Sequence, residues 1–275
     1  MTTDLHDELI RIPLDGAESV TARVTCREDA PPGRLLVLFP PHPSLGGDAE
    51  NNVIRALARA GVEAGRLVLR LHYRRTESEA ADAGRSLAFW DDLDARQDYE
   101  IIATDSLRII ETVLKAFARI PTGGRRAWPE PAEGAVAAVF PATGADGAAP
   151  SNAVHHHAAV GQRGHDGNPS IEIAAYSFGV YVALRVLGRL GPARLVGISP
   201  PLMEHDFSAV LPAAGITGRV AFIGTAGDPF CPPDALQNLA EAAGGRWHLF
   251  EAGDHFYRGE EARLASAVLT MFEND

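Results

Sequence analysis

Short continuous apolar runs recur along the chain, each bounded by polar residues or by glycine and proline. Such runs are typical of strands buried on both faces of a parallel sheet. They predict strands at Arg34–Phe39, Leu67–Leu71, Ile171–Tyr176, Leu195–Ile198, Val220–Ile223 and Trp247–Phe250. A turn dipeptide, Asp15-Gly16, joins Leu9–Pro13 to Ser19–Cys26, which predicts an antiparallel hairpin at one edge of the sheet.

Between these runs, apolar residues recur at helical spacing. The spacing predicts helices at Asn51–Ala60, Ile102–Phe117, Val180–Leu187, Ala235–Ala243 and Leu264–Phe272. We expect Gly191-Pro192 to end the third of them. The alternation of strands and helices predicts an α/β fold, with a mostly parallel, twisted sheet of about eight strands and helices on both faces.

One long segment lacks this order. Residues 122–169 are rich in Gly, Ala and Pro and show almost no periodic apolar pattern. We therefore predict a single domain over residues 1–275 with a flexible insertion at 122–169. The insertion joins a helix to a strand, so it is expected at the edge of the sheet opposite the catalytic groups. It contains His155–His157, whose spacing is not that of a regular ligand set, and no metal site is predicted.

Composition excludes several classes of function. The formal net charge is -11 and no basic stripe is present, so nucleic acid is not an expected partner. The two cysteines, Cys26 and Cys231, do not form a disulfide framework. The chain has no apolar run of membrane-spanning length and does not begin with a signal-peptide pattern, which favours the cytoplasm. The sequence leaves open whether the protein is a monomer or a homodimer.

The junction of a strand with a helix contains a candidate nucleophile. Ser177 follows the predicted strand Ile171–Tyr176 and directly precedes a helix. A serine on such a tight turn projects its hydroxyl at the carboxyl edge of the sheet, and the residues two before and two after it must be small. Ala175 and Gly179 meet that need, although the usual pattern is Gly-x-Ser-x-Gly. The alternative is a serine that only caps the helix.

Two further residues complete a possible catalytic triad. Asp228 follows the strand Val220–Ile223, and His255 follows the last strand. The order Ser, Asp, His is that of α/β-hydrolases, in which the histidine is the general base and the carboxylate orients it. Each residue alone could be an ordinary loop residue. Asp254 is poorly aimed for the acid role, and Asp206 is a weaker rival for it.

An oxyanion hole requires two backbone N–H groups. Phe178, the residue after the nucleophile, is expected to provide one. The other is expected from the loop after Arg34–Phe39, where Pro43 has no N–H and Ser44 or Leu45 is the candidate. His42 lies in the same loop. We expect it to shape the loop rather than to act as the base, since His255 already fills that role.

Several motifs together resemble a known family. They are His-Pro-Ser-Leu-Gly-Gly at 42–47 followed by Asn52, Leu-Arg-Leu-His-Tyr-Arg at 69–74, Ala-Tyr-Ser-Phe-Gly around Ser177, Gly-Asp-Pro around Asp228 and Gly-Asp-His-Phe around His255. The chain outside 122–169 resembles small bacterial α/β-hydrolases related to dienelactone hydrolase and to S33-like serine hydrolases.

Two departures from that family are visible. The family has Arg-Gly-x-Gly-x-Ser after the fourth strand, whereas here Arg74 is followed by Arg75-Thr76-Glu77-Ser78. The dienelactone hydrolases use a cysteine nucleophile, so Ser177 favours a similarity to esterase-like relatives. The missing glycines are expected to alter a turn near the site.

These observations favour a hydrolase of small-molecule carboxylic esters or thioesters, which acts through an acyl-enzyme on Ser177 and needs no cofactor. Peptide or amide hydrolysis by the same triad, and a non-catalytic scaffold of the same fold, are the alternatives. A cap would interrupt the chain between about Ser199 and Arg219. That gap is too short for a cap domain, so we predict an open site with a minimal cap or none.

Overall fold

The computed structural model describes residues 5–14, 18–28, 33–45, 47–76, 83–118, 169–211 and 216–273. The strands are β1 (Leu5–Pro13), β2 (Ser19–Arg27), β3 (Arg34–Phe39), β4 (Leu67–Leu71), β5 (Ser170–Tyr176), β6 (Arg194–Ile198), β7 (Val220–Thr225) and β8 (Arg246–Phe250). The α-helices are α1 (Asn52–Glu63), α2 (Ala83–Arg96), α3 (Glu100–Ala118), α4 (Phe178–Leu187), α5 (Pro233–Ala242) and α6 (Glu261–Glu273). The predicted insertion at 122–169, with His155–His157, lies outside the described residues except for Pro169.

All eight strands form one sheet, in the order β1-β2-β4-β3-β5-β6-β7-β8. β1 pairs with β2 and β2 with β4 in antiparallel register, and every other neighbouring pair is parallel. This confirms the predicted mostly parallel sheet of eight strands with an antiparallel hairpin at its edge.

The core has two layers, one on each face of the sheet. In β3, Leu36 and Leu38 belong to the layer that α1 and α6 cover, whereas Leu35, Val37 and Phe39 belong to the layer that α2, α3, α4 and α5 cover. Because side chains alternate between faces along a strand, the two sets of helices lie on opposite sides of the sheet. This is why β3 reads as a continuous apolar run.

The predicted elements agree with the structure except in a few places. β1 begins at Leu5, four residues before the predicted start, and α2 was not predicted. α4 ends at Leu187, with Gly188 as its C-cap, so the prediction that Gly191-Pro192 ends this helix was wrong. No helix in the described part of the chain has the length and apolar character needed to cross a membrane.

The six strands that pair in parallel, β3 to β8, have their carboxyl ends at one edge of the sheet, and the candidate site residues lie there. Between β6 and β7 the described residues form only a short 3-10 turn, Phe207–Ala209. Over those residues the connection contains no cap domain, as the length of the gap predicted.

Candidate active site

Ser177 occupies a sharp turn between β5 and α4. β5 ends at Tyr176 and α4 begins at Phe178, so a single residue turns the chain. The φ of Ser177 is 54°, in the left-handed region that is unfavourable for residues other than glycine. The Ser177 N–H donates to the Ile198 carbonyl at 2.8 Å. This strained backbone conformation places Ser177 at the carboxyl edge of the sheet, as the sequence pattern predicted.

The turn is tight enough to require small neighbours. A Cβ atom on Gly179 would lie 2.5 Å from the Phe39 carbonyl oxygen and 2.7 Å from that of Pro40. Only glycine therefore fits where the first turn of α4 passes the end of β3. Ala175 is completely buried in β5, so its methyl group is accommodated within the core.

The structure brings Ser177, His255 and Asp228 together. His255 Nε2 lies 3.0 Å from Ser177 Oγ, and His255 Nδ1 lies 2.8 Å from Asp228 Oδ2. Ser177 is 5% exposed, His255 7% and Asp228 3%. All three residues are buried, and the Asp228 side chain is fully shielded from water.

Several hydrogen bonds hold Asp228 as a carboxylate. Its Oδ1 accepts from the Phe230 N–H at 2.9 Å and from the Cys231 N–H at 3.2 Å, and Oδ2 faces His255. Burial acts to raise the pKa of Asp228, but hydrogen bonds from His255, Ser199 and Phe230, together with the nearby His255 charge, lower that pKa below its ordinary value. The group is therefore ionised at neutral pH.

Two hydroxyl groups support the Asp228 carboxylate, and the sequence did not reveal them. Ser199, at the end of β6, is hydrogen-bonded to Asp228, and its Oγ lies 2.8 Å from the Tyr257 hydroxyl. Because a carboxylate only accepts, Ser199 must donate to Asp228 and Tyr257 must donate to Ser199. Tyr176 donates to the His255 carbonyl at 2.7 Å and thereby fixes the backbone of the histidine loop.

The two rival acids lie in other environments. Asp254 is exposed and its carboxylate accepts from the Phe256 N–H at 2.9 Å. Asp206 is also exposed, where it caps the short turn at Phe207–Ala209 and accepts from the Ser208 N–H. Both carboxylates therefore serve local turns, and Asp228 is the one that His255 contacts.

His42 organises the loop after β3. Its Nδ1 accepts from the Ser44 N–H at 3.2 Å, and its Nε2 lies 3.1 Å from Asp94 Oδ1 on α2. Burial lowers the pKa of His42 below its ordinary value although Asp94 acts to raise it. The buried imidazole thus links the loop to α2, and its Nδ1 is occupied by the loop's own backbone.

Aromatic side chains surround the ring of Phe178. The centroid of the Phe178 ring lies 4.7 Å from His42 and 4.8 Å from Tyr99, both edge to face. The Tyr99 hydroxyl also donates to Asp94 Oδ1 at 2.8 Å. Asp94 and Tyr99 therefore connect the residue after the candidate nucleophile with the His42 loop, a connection that the sequence did not reveal.

The turn after β4 keeps a conformation that glycine favours even though glycine is absent. Arg75 has a φ of 57°, at the position where the resembled family has its first glycine. Arg74 forms a two-pronged ion pair with Asp105, with Nε–Oδ2 and Nη2–Oδ1 distances of 2.5 and 2.8 Å, and Glu18 accepts from both arginines. These ion pairs hold the turn in place of the missing glycine.

Comparison with known proteins supports a fold assignment. No family model and no curated protein matches the sequence. A solved α/β serine hydrolase homologue from Coxiella burnetii is 16% identical with a TM-score of 0.60, and the match covers 98% of each chain. An α/β serine hydrolase without a lid from Xanthomonas campestris is 18% identical with a TM-score of 0.61 over 99% of this chain and 95% of that one.

An esterase from Pyrococcus furiosus is more distant in sequence. It is 10% identical with a TM-score of 0.56, and the match covers 98% of this chain and 92% of the esterase. At these identities the likeness concerns the backbone over nearly its whole length. The sheet order, the turn at Ser177 and these matches agree, and the chain therefore has the α/β-hydrolase fold.

Proposed function

We propose that the protein is a serine hydrolase that cleaves a carboxylic ester or thioester through an acyl-enzyme on Ser177. The continuous hydrogen-bonded series Asp228–His255–Ser177 is the observation that carries the proposal. Solved proteins with this fold that are described as serine hydrolases or as an esterase lend it further support. A complete triad would be unneeded in a non-catalytic scaffold.

In the proposed reaction His255 Nε2 takes the proton of the Ser177 hydroxyl as Oγ attacks the substrate carbonyl. The bond from Oγ to the acyl carbon forms, the bond to the leaving oxygen or sulfur breaks, and His255 returns the proton to the leaving group. Water then repeats the sequence against the acyl-enzyme. Asp228 keeps the Nδ1–H tautomer and stabilises the imidazolium ion that forms in each half-reaction.

Two backbone N–H groups are proposed to stabilise the oxyanion. Phe178 is the first residue of α4, and an N–H at that position has no partner within its own helix. In the loop after β3, the Ser44 N–H donates to His42 Nδ1, which favours Leu45 as the second donor of the predicted pair. Hydrogen bonds from such donors strengthen as the carbonyl oxygen gains charge, so they lower the barrier to attack.

The first test is hydrolysis of p-nitrophenyl esters of increasing acyl length by wild type and by Ser177→Ala. We expect wild type to turn over at least one ester and Ser177→Ala to lose about 10³-fold or more in kcat, because only oxyanion stabilisation and binding remain. Ser106→Ala is a matched control, since Ser106 is buried in α3 and its hydroxyl donates only to the Ile102 carbonyl at 2.8 Å in its own helix. Equal rates for Ser177→Ala and wild type would refute the proposal. Amide cleavage without ester cleavage would replace esters by amides as the substrate class.

A further inference from the structure

The surroundings of His255 include an exposed apolar surface that the triad itself does not require. The Phe230 ring lies 5.0 Å from the imidazole, centroid to centroid, and the Phe256 ring lies 5.6 Å from it, both edge to face. The Met203 N–H donates to the Phe230 carbonyl at 3.3 Å, which places Met203 beside Phe230. We call these three residues, Met203, Phe230 and Phe256, the apolar rim.

The rim contains two well-exposed large apolar side chains. Met203 is 67% exposed and Phe256 45% exposed, and Phe230 is half-buried. Large apolar side chains that cluster at the surface beside a reactive group indicate a binding surface more often than chance exposure does. None of the three side chains belongs to either core layer.

The chemistry of the proposed reaction decides which part of a substrate meets the rim. During acylation His255 Nε2 gives its proton to the leaving oxygen, so that oxygen must come within about 3 Å of the ring. The carbonyl oxygen is meanwhile directed to the N–H groups near Phe178. The alkyl portion of the leaving alcohol therefore begins beside His255, whose ring is bordered by Phe230 and Phe256.

We propose that the apolar rim binds the alcohol portion of the ester, and that this portion is an apolar alcohol of medium length, such as a butyl, hexyl or benzyl group. The inference rests on the proposed function and adds the substrate class to it. The Arg258 guanidinium stacks over the Phe256 ring with Cζ 4.8 Å from the centroid, which helps to fix the ring in place. Phe256 held in this way offers a preformed apolar surface.

The test uses two ester series with the purified full-length protein. In the first, acetate is kept and the alcohol is lengthened from ethyl through n-butyl to n-hexyl. These alcohols have nearly equal acidity, so kcat/KM for acylation reports contacts with the leaving group. In the second, the ethyl group is kept and the acyl chain is lengthened from acetyl to hexanoyl. We expect kcat/KM to rise along the alcohol series by about two- to fourfold for each added methylene. Fourfold corresponds to a methylene that is fully buried on binding.

Truncation of the rim should flatten that rise. Phe256→Ala and Met203→Ala are expected to reduce the ratio of kcat/KM for hexyl acetate to that for ethyl acetate by about fivefold or more. Both variants should lose more kcat/KM with hexyl acetate than with ethyl acetate, and should leave the ratio of kcat/KM for ethyl hexanoate to that for ethyl acetate unchanged. Leu87→Ala is the matched control, because Leu87 is a 56% exposed apolar residue on α2 that is not part of the apolar rim. It should leave both series unchanged.

The outcomes separate the two proposals. If wild type hydrolyses ethyl acetate but its kcat/KM does not change along the alcohol series, the rim does not bind the alcohol, and the proposed function is unaffected. The inference would also be wrong if kcat/KM rose along the alcohol series in both rim variants as it does in wild type. The same holds if Leu87→Ala reduced that rise as much as the rim variants do. Hydrolysis of no ester in either series by an enzyme that hydrolyses p-nitrophenyl esters would also overturn this inference, whereas an enzyme inactive on p-nitrophenyl esters as well would contradict the proposed function.

Discussion

Replacement of Asp228 by asparagine should disable the proposed base by changing its tautomer. Asp228 Oδ1 accepts from the N–H groups of Phe230 and Cys231, and Oδ2 accepts from His255 Nδ1. In Asp228→Asn the amide oxygen must face the two backbone donors, because the opposite orientation would set NH₂ against N–H. The amide nitrogen then donates to His255 Nδ1, and the imidazole proton is moved to Nε2, where it blocks acceptance of the Ser177 proton.

The expected magnitude follows from that tautomer. A serine hydrolase whose orienting aspartate becomes asparagine loses about 10⁴ in kcat, which corresponds to about 5.4 kcal/mol of transition-state stabilisation. The loss should fall on kcat and not on KM, because none of the four groups that hydrogen-bond to Asp228 is part of the proposed oxyanion hole. The fold should persist, since the amide has the size of the carboxylate and keeps the two backbone hydrogen bonds.

The assay is steady-state hydrolysis of the best p-nitrophenyl ester at pH 7, with circular dichroism to check folding. Asp254→Asn and Asp206→Asn are matched controls, because each exposed carboxylate accepts from a local backbone N–H. Both should stay within about threefold of wild type. A loss of less than tenfold in folded Asp228→Asn, or a larger loss in Asp206→Asn, would refute this account of the acid.

Three further predictions concern the same site. Because the pKa of Asp228 is lowered in the folded state, the carboxylate stabilises the fold above the unfolded value of about 3.9 and loses that contribution as pH falls through the folded value. Urea unfolding should therefore show a smaller stability difference between wild type and Asp228→Asn at pH 3 than at pH 6, and an equal difference would contradict the shift. Gly179→Ala, whose Cβ would lie 2.5 Å from the Phe39 carbonyl oxygen, should cost about 2 kcal/mol and lower Tm by about 5 °C in a thermal scan, and an unchanged Tm would contradict the tight approach. His42→Ala should lower kcat about tenfold or more through loss of the Ser44 N–H acceptor, whereas His42→Asn, whose side-chain oxygen can accept from the same N–H, should recover most of the rate; equal losses in the two variants would assign His42 another role.

The sequence predicted the central strands well because their burial is two-sided. β3 and β4 were placed at both of their ends, since each is a short, mostly apolar run between polar or glycine-containing segments. β1 was predicted too short at its start. Leu5 and Leu9 are 54% and 45% exposed on this edge strand, and a strand with little burial leaves little apolar pattern to detect.

Helix α2 was missed for a related reason. Trp90 and Leu93 are its buried apolar residues, three apart, whereas Leu87 is exposed and charged residues fill much of the remainder. The apolar stripe is therefore short and interrupted. Because α2 was not predicted, the contact between its residue Asp94 and His42 could not be predicted either.

The candidate triad was predictable because its three members follow strand ends in the order that the fold prescribes. The residues that support it were not. Ser199 and Tyr257 carry no charge and form no motif, and their roles depend on β6 and the His255 loop meeting at one edge of the sheet. The available signal was position alone, since Ser199 follows an apolar strand directly. The single-domain prediction and the flexible insertion at 122–169 remain predictions.

Covalent labelling with a fluorophosphonate, followed by mass spectrometry of the digested protein, reports directly on the proposed nucleophile. We expect one adduct per chain, located on Ser177, with no labelling of Ser177→Ala and full labelling of Ser106→Ala. Labelling of Asp228→Asn should be slower by orders of magnitude, because reaction with the probe needs the same base. An adduct on another residue, or wild-type labelling of Ser177→Ala, would contradict the account.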